Sequence, residues 1–284
     1  MATFPRRRKA GAPLAPKAAR FSRFGRRAEG KRARGIYLLP NAFTTGALFC
    51  GFYAIVMAMN QRFDYACWAV FVAMVLDGLD GRIARLTNTQ SEFGAQYDSL
   101  SDMVSFGAAP ALVIYEYSLR GLGKLGWIAA FVYCAGAALR LARFNTNIEV
   151  VDKRYFQGLP SPSAAALVVG FILMMTDPDI DVSARQVDWI SWIIALFAGL
   201  TMVTNVPFYS FKDVNFKKSV PFIVVFLIAL IFALVAIKPA VVLWPLFVLY
   251  GLSGYVVLFW RLAKGKPVSI IQTEDEPVDP SERR

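Results

Sequence analysis

An all-α fold, a polytopic membrane bundle of about eight transmembrane helices, is predicted by composition, by long charge-free runs and by basic charge concentrated in alternate connections. Of the 284 residues, 56% are hydrophobic, and the mean hydropathy is +0.46. That is too apolar for an ordinary soluble domain. Runs such as 222–237 and 241–260 carry almost no charge over the length that crosses a bilayer core.

Segmenting by charge and turn residues places the spans at Ile36–Ala58, Tyr65–Leu86, Leu100–Leu119, Leu125–Phe144, Ser163–Thr176, Trp189–Phe208, Val220–Ile237 and Val241–Leu262. The fifth is short and has an alternative start at Pro160. With the N-terminus inside, the inner connections carry Arg6 to Arg34, Lys153, Arg154, Lys212, Lys217, Lys218, Lys264 and Lys266. The outer ones carry only Arg62, Arg120, Lys124, Arg185 and Lys238. This positive-inside pattern predicts both termini in the cytoplasm.

Three sections follow. Residues 1–34 form a basic Pro/Ala/Arg-rich tail expected to be disordered, 35–265 the membrane domain, and 266–284 an acidic, Pro-containing tail of the same character. Net charge is +11, much of it in the first section. Beside a membrane span, such a tail fixes topology and lies on anionic headgroups, so no nucleic-acid partner is expected. No cleavable signal peptide is evident, because the first apolar run comes late.

Cys50, Cys67 and Cys134 lie far apart inside apolar segments, without metal-ligand spacing, and read as packing residues. The chain has no histidine. Acid–base chemistry therefore falls to carboxylates, Tyr, Lys or Cys.

The informative stretch is 75–109, VLDGLDGRIARLTNTQSEFGAQYDSLSDMVSFGAA. Asp77, Asp80, Asp98 and Asp102 sit within or at the ends of apolar segments, where a charge is costly and marks function. On a helix, Asp77, Asp80, Gly81, Ala84 and Arg85 share one face, and Gly94, Asp98 and Asp102 share a face of the next. A loop of about a dozen residues between them makes the two helices antiparallel neighbours, with four carboxylates converging at the cytoplasmic end. Such a cluster repels itself, and a hard divalent cation such as Mg²⁺, Mn²⁺ or Ca²⁺ resolves the repulsion. Gly78, Gly81, Ala84, Gly94 and Ala95 let helices or phosphates approach closely, and Arg85 can meet a phosphate bidentately. The bland alternative is that these aspartates are helix-end partners of Arg82 and Arg85.

The pattern Asp77-x2-Asp80-Gly81-x2-Ala84-Arg85-x8-Gly94-x3-Asp98-x3-Asp102 resembles the signature of the CDP-alcohol phosphotransferases, with no departure at a defined position. The resemblance implies a helical membrane fold of at least six spans, a homodimer, a CDP-linked donor and a site for two divalent cations, Mg²⁺ or Mn²⁺. By position it implies that Asp77, Asp80, Asp98 and Asp102 are metal ligands and that Asp102 is also the general base. It places Gly81, Arg85 and Ser91 at donor-contacting positions. Asn41 and Thr44 resemble the family's nucleotide-contacting Pro-Asn-x-x-Thr stretch.

Two further segments bear on the acceptor. Arg140 and Arg143 end the fourth span just before Asn145, and Ser161 lies in the Gly/Pro-rich entry to the fifth. Arginines at a cytoplasmic helix end can be purely topological. The sharper reading has Arg140 facing the bundle to bind an anionic acceptor, with Arg143 next in line and Asn145 and Ser161 supplying neutral hydrogen bonds. Together with Phe106–Ala111, these segments resemble the serine-accepting, membrane-spanning branch of the family found in bacteria. That implies transfer of a phosphatidyl group from CDP-diacylglycerol to L-serine, giving phosphatidylserine and CMP in the bacterial inner membrane. Glycerol 3-phosphate, also anionic, is the alternative acceptor. From another class, a cation transporter or channel would also place aspartates inside a membrane, but these acids cluster at one face and no inverted repeat is detected.

Overall fold

The computed structural model describes residues 33–87, 89–146, 155–180, 182–210 and 222–264. Among them 85% are helical. The basic tail up to residue 32, the charged connections at 147–154 and 211–221, and the C-terminal tail lie outside the described residues.

The elements are α1 (Ala33–Met59), α2 (Phe63–Leu86), α3 (Glu92–Asp102), a π turn (Met103–Ala108), α4 (Ala109–Tyr117), a 3₁₀ turn (Leu119–Leu122), α5 (Lys124–Thr146), β1 (Tyr155–Gln157), α6 (Ser161–Met175), α7 (Ala184–Val203), β2 (Pro207–Tyr209), α8 (Phe222–Ile237) and α9 (Pro239–Ala263). Each expected span overlaps a helix or, for the third, the column α3–π–α4. Among the described residues, four helices are both long and apolar enough to cross a membrane: α1 from Pro40, α5, α7 and α9. The others depart for physical reasons. Helix α2 carries Asp64, Asp77, Asp80, Arg82 and Arg85, the third column is interrupted by the π turn, and α6 and α8 have only 15 and 16 residues.

Helix α6 is short because protein surrounds it. Residues 164–173 are all buried, packed by α2, α4, α7 and α9. Pro160 precedes its first turn, where the missing N–H costs no helical hydrogen bond. Large apolar side chains instead face outward from the peripheral helices, among them Phe49 and Phe52 on α1, Phe131 on α5, Leu200 on α7 and Val256 and Phe259 on α9. Alanines and glycines at the helix contacts, with large apolar side chains on the outside, make up the arrangement that lipid, rather than water, favours.

Close backbone approach holds the interior. At the α5–α7 crossing a Cβ on Gly199 would stand 2.7 Å from Tyr133 Cα, and one on Gly136 would stand 3.2 Å from Gly199 Cα. Seryl hydroxyls join the third column to α1: Ser101 Oγ donates to Thr44 O at 3.1 Å, and Ser105 Oγ to Ala47 O at 3.0 Å.

Two features depart from the sequence expectation. The third column begins at Glu92 instead of Leu100, because Ser91 caps it by accepting from Gly94 N at 3.0 Å. The connection from α2 is thus shorter than a dozen residues. The all-α expectation also missed an antiparallel pair in which Phe156 faces Phe208, tying the entry of α6 to the exit of α7.

Gly199→Ala should therefore destabilise the bundle by roughly 1–3 kcal/mol through overpacking against the α5 backbone. Gly121→Ala, whose Cβ would find only Asp188 Oδ2 at 3.5 Å, should be close to neutral. Unfolding in detergent, followed for both variants, checks the contrast.

Candidate metal and nucleotide site

The ends of six helices meet on one side of the bundle: the starts of α1, α3 and α6 and the ends of α2, α5 and α7. Helical spacing places Asp77 and Asp80 one turn apart near the end of α2, and Asp98 and Asp102 one turn apart on α3. Each of Asp77, Asp98 and Asp102 offers a carboxylate oxygen within 4.8 Å of the other two. Asp77 approaches Asp102, and Asp80 approaches Asp98. Asp80 stands at the edge of the triplet, where Thr44 Oγ1 donates to its Oδ2 at 2.7 Å.

This cluster fits a hard divalent cation. Its donors are all carboxylate oxygens, and Asp98 Oδ1 is buried with no hydrogen-bond partner among the described residues. An orphaned anionic oxygen beside two more carboxylates is strongly unfavourable until a cation meets it.

Next to the carboxylates lies a cleft of about 380 Å³, lined by Pro40, Asn41, Thr44, Asp80, Gly81, Ala84, Arg85, Thr89, Gln90, Ser91, Gly94, Ala95 and Asp98. All five residues expected to contact a nucleotide donor, Asn41, Thr44, Gly81, Arg85 and Ser91, border it. A Cβ on Gly81 would meet nothing within 4 Å, so the absence of a side chain there opens the cleft rather than relieving a clash. A Cβ on Gly94 would stand 3.1 Å from Ser91 Oγ and 3.6 Å from Asn41 Oδ1. Arg85 is exposed, and its Nε donates back to Gly81 O at 3.0 Å. Thr89 and Gln90 were not singled out in the sequence, although they lie in the connection between the two aspartate pairs; Ala95, expected to keep its side chain short for an approaching phosphate, also lines the cleft.

The two arginines of α5 have different surroundings. Arg140 is 8% exposed. Its Nη1 donates to Ser161 Oγ at 2.9 Å, its Nε has no partner among the described residues, and it lies close enough to act on the charge of Asp102. Arg143 is occupied instead. Its Nη1 donates to Val203 O at 2.9 Å and Asn205 Oδ1 at 3.0 Å. Its Nη2 donates to the carbonyls of Gln157, Met202 and Thr204 at 3.0, 3.1 and 3.2 Å. Arg143 thus ties the end of α7 to the strand pair, against Gly158 at φ 73°. Asn145 is exposed, and its Nδ2 donates to Ser99 Oγ at 3.0 Å.

A family model described as CDP-alcohol phosphatidyltransferase matches residues 37–204. The chain belongs to that family. Its relatives include a Helicobacter pylori protein named CDP-diacylglycerol–serine O-phosphatidyltransferase, 35% identical over 231 residues, covering 81% of this chain and 96% of the relative. A protein of the same name from Methanocaldococcus jannaschii is 34% identical over 188 residues, covering 66% of this chain and 82% of its own. One from Mycobacterium leprae is 28% identical over 229 residues, covering 79% and 75%.

Arg143→Ala should cost at least about 3 kcal/mol, because it strands several carbonyls that share one charged donor. A lowered unfolding midpoint, with faster proteolysis near residues 155–160 and 204–210, is the expected result.

Proposed function

We propose that the chain transfers the phosphatidyl group of CDP-diacylglycerol to L-serine, giving phosphatidylserine and CMP. The observation that carries this is the meeting of three carboxylates, a cleft bordered by the family's donor-contacting positions, and the buried Arg140 at the end of one bundle. The names of the Helicobacter and Methanocaldococcus relatives support the same acceptor.

Asp77, Asp80, Asp98 and Asp102 hold divalent cation, Mg²⁺ or Mn²⁺, two ions in the reading that the family resemblance supports. Bound there, the cation neutralises the diphosphate and the charge that develops on its oxygens. The cleft receives the cytidine nucleotide, with Asn41 and Thr44 on its α1 wall, Ser91 at its α3 edge and Arg85 reaching phosphate. Arg140 binds the serine carboxylate and Ser161 orients the guanidinium. Asn145 lies further out, and Arg143 holds the wall on which these groups stand. The serine hydroxyl oxygen forms a bond to the lipid-side phosphorus while the bond from that phosphorus to the bridging oxygen breaks. Asp102 accepts the hydroxyl proton and CMP departs.

Eight membrane crossings, a cytoplasmic site and termini, and a homodimer complete the reading. The loop charges support the orientation, and the family resemblance supports the dimer.

Purified protein given CDP-diacylglycerol, Mn²⁺ and labelled alcohols should release CMP and label phosphatidylserine. Turnover with glycerol 3-phosphate and none with serine would overturn the acceptor. Asp98→Asn should weaken Mn²⁺ binding by roughly tenfold or more. Asp102→Asn should lose about two to four powers of ten in the chemical step.

Arg140→Lys should raise the KM for serine by roughly tenfold, because a point charge does not reproduce a bidentate contact. The KM for CDP-diacylglycerol should barely change. Serine amide should be a poor acceptor for the parent and should lose less on mutation, a coupling read from the crossed variants and acceptors.

A further inference from the structure

Between Asp102 and α4 the chain makes a π turn, Met103–Ala108, where an α-helix could have continued. A π turn takes in one extra residue, so side chains before it are rotated by roughly 100° relative to those after it. Asp98 and Asp102 thereby keep their direction towards Asp77, while Phe106, Ala109 and Val113 keep theirs towards the buried core.

The turn is clamped from two sides. From α1, the carbonyl of Ala47 accepts the hydroxyl of Ser105 at 3.0 Å. From α5, the fully buried Tyr133 donates its hydroxyl to Phe106 O at 2.9 Å, inside the turn itself. Tyr133, Ala137 and Arg140 fall on one face of α5. Ala137 Cβ lies 3.2 Å from where a Cβ on Gly107 would stand, and Arg140 lies beside Asp102. One stripe of α5 therefore runs along the π turn from its middle to the carboxylate.

We infer that Tyr133 is a positioning residue for Asp102: its hydroxyl holds the π turn in the phase that aims the carboxylate at Asp77 and Asp98. Tyr133 does not line the cleft, and its hydroxyl is spent on the Phe106 carbonyl, so it acts through the backbone of the turn. The inference rests on the reading of Asp102 as metal ligand and base.

A tyrosine elsewhere in the bundle provides the control. Tyr255 on α9 shares a 2.7 Å hydrogen bond with the buried Thr201 on α7, a contact between two helices that does not involve the π turn. Tyr133→Phe and Tyr255→Phe each delete one hydroxyl contact from the full chain, buried at Tyr133 and part-buried at Tyr255. Tyr133→Phe should weaken Mn²⁺ binding, measured by electron paramagnetic resonance without turnover, by about tenfold and lower kcat by a similar factor. The KM values for both substrates should stay nearly unchanged. Tyr255→Phe should leave Mn²⁺ affinity and kcat as in the parent, even where its unfolding midpoint falls as far. Parental Mn²⁺ affinity and kcat in folded Tyr133→Phe, or equal losses in both variants, would overturn the inference. If Tyr133→Phe does not fold, Ser105→Ala frees the same turn from α1, and unchanged Mn²⁺ affinity there overturns it too. A parent that binds Mn²⁺ but never releases CMP would refute the proposed reaction while the Mn²⁺ comparison still decides the role of Tyr133.

Discussion

Bringing Asp77, Asp98 and Asp102 within 4.8 Å of one another, inside a bundle with an apolar exterior, is the constraint to which the neighbouring structure responds. Unit charges about 4 Å apart repel by about 4 kcal/mol at the effective dielectric of a protein. Three such pairs rival the whole stability of a domain. The fold meets this repulsion by placing compensating groups around it. Thr44 satisfies Asp80 and Arg140 sits beside Asp102, while Asp98 Oδ1 has no hydrogen-bond partner among the described residues. The bare backbone at Gly78 and Gly81, where a Cβ would meet nothing within 4 Å, leaves open space beside the acids.

The same constraint explains which helices do not resemble ordinary membrane spans. Helices α2 and α3 carry the acids, and their polar ends make them poor crossings by composition. Helix α6 is too short, but it is enclosed by neighbours that are long, apolar or both. Charge and short length are tolerated where protein, not lipid, is the surrounding medium.

The aspartate faces were legible in the sequence because helical phase is a property of the backbone: spacings of three and four residues survive wherever the helix lies. The positions Asn41, Thr44, Gly81, Arg85 and Ser91 were legible only through the family resemblance, and all five border one cleft. The strand pair was not. Three residues against three give no period, and the partners are about fifty residues apart. The start of α3 was misplaced because Glu92 and Asp98 gave its first turns the polarity of a loop, whereas Ser91 was capping a helix. The π turn left no sequence signal at all, because it depends on contacts from α1 and α5 rather than on local propensity.

Arg140 and Arg143 show where residue type stops being informative. Both end one helix, three residues apart, and on sequence both suited an anionic ligand. What separates them is set by distant chain. The end of α7 and the strand pair bring Arg143 four backbone carbonyls and an amide oxygen, a set of neutral acceptors that needs no ligand. Arg140 is given one hydroxyl, one nearby carboxylate and an unpartnered Nε in a buried position. A buried guanidinium with a spare donor is stabilised by an anion that arrives with a ligand, and it discriminates against a ligand lacking that anion because the donor then stays unpaired. On the proposed reading, the acceptor's own carboxylate is that anion, because Asp102 belongs to the carboxylate cluster. The chemistry of binding is thereby coupled to the choice of alcohol: on the proposed reading, the residue beside the base is the one that demands an anionic acceptor.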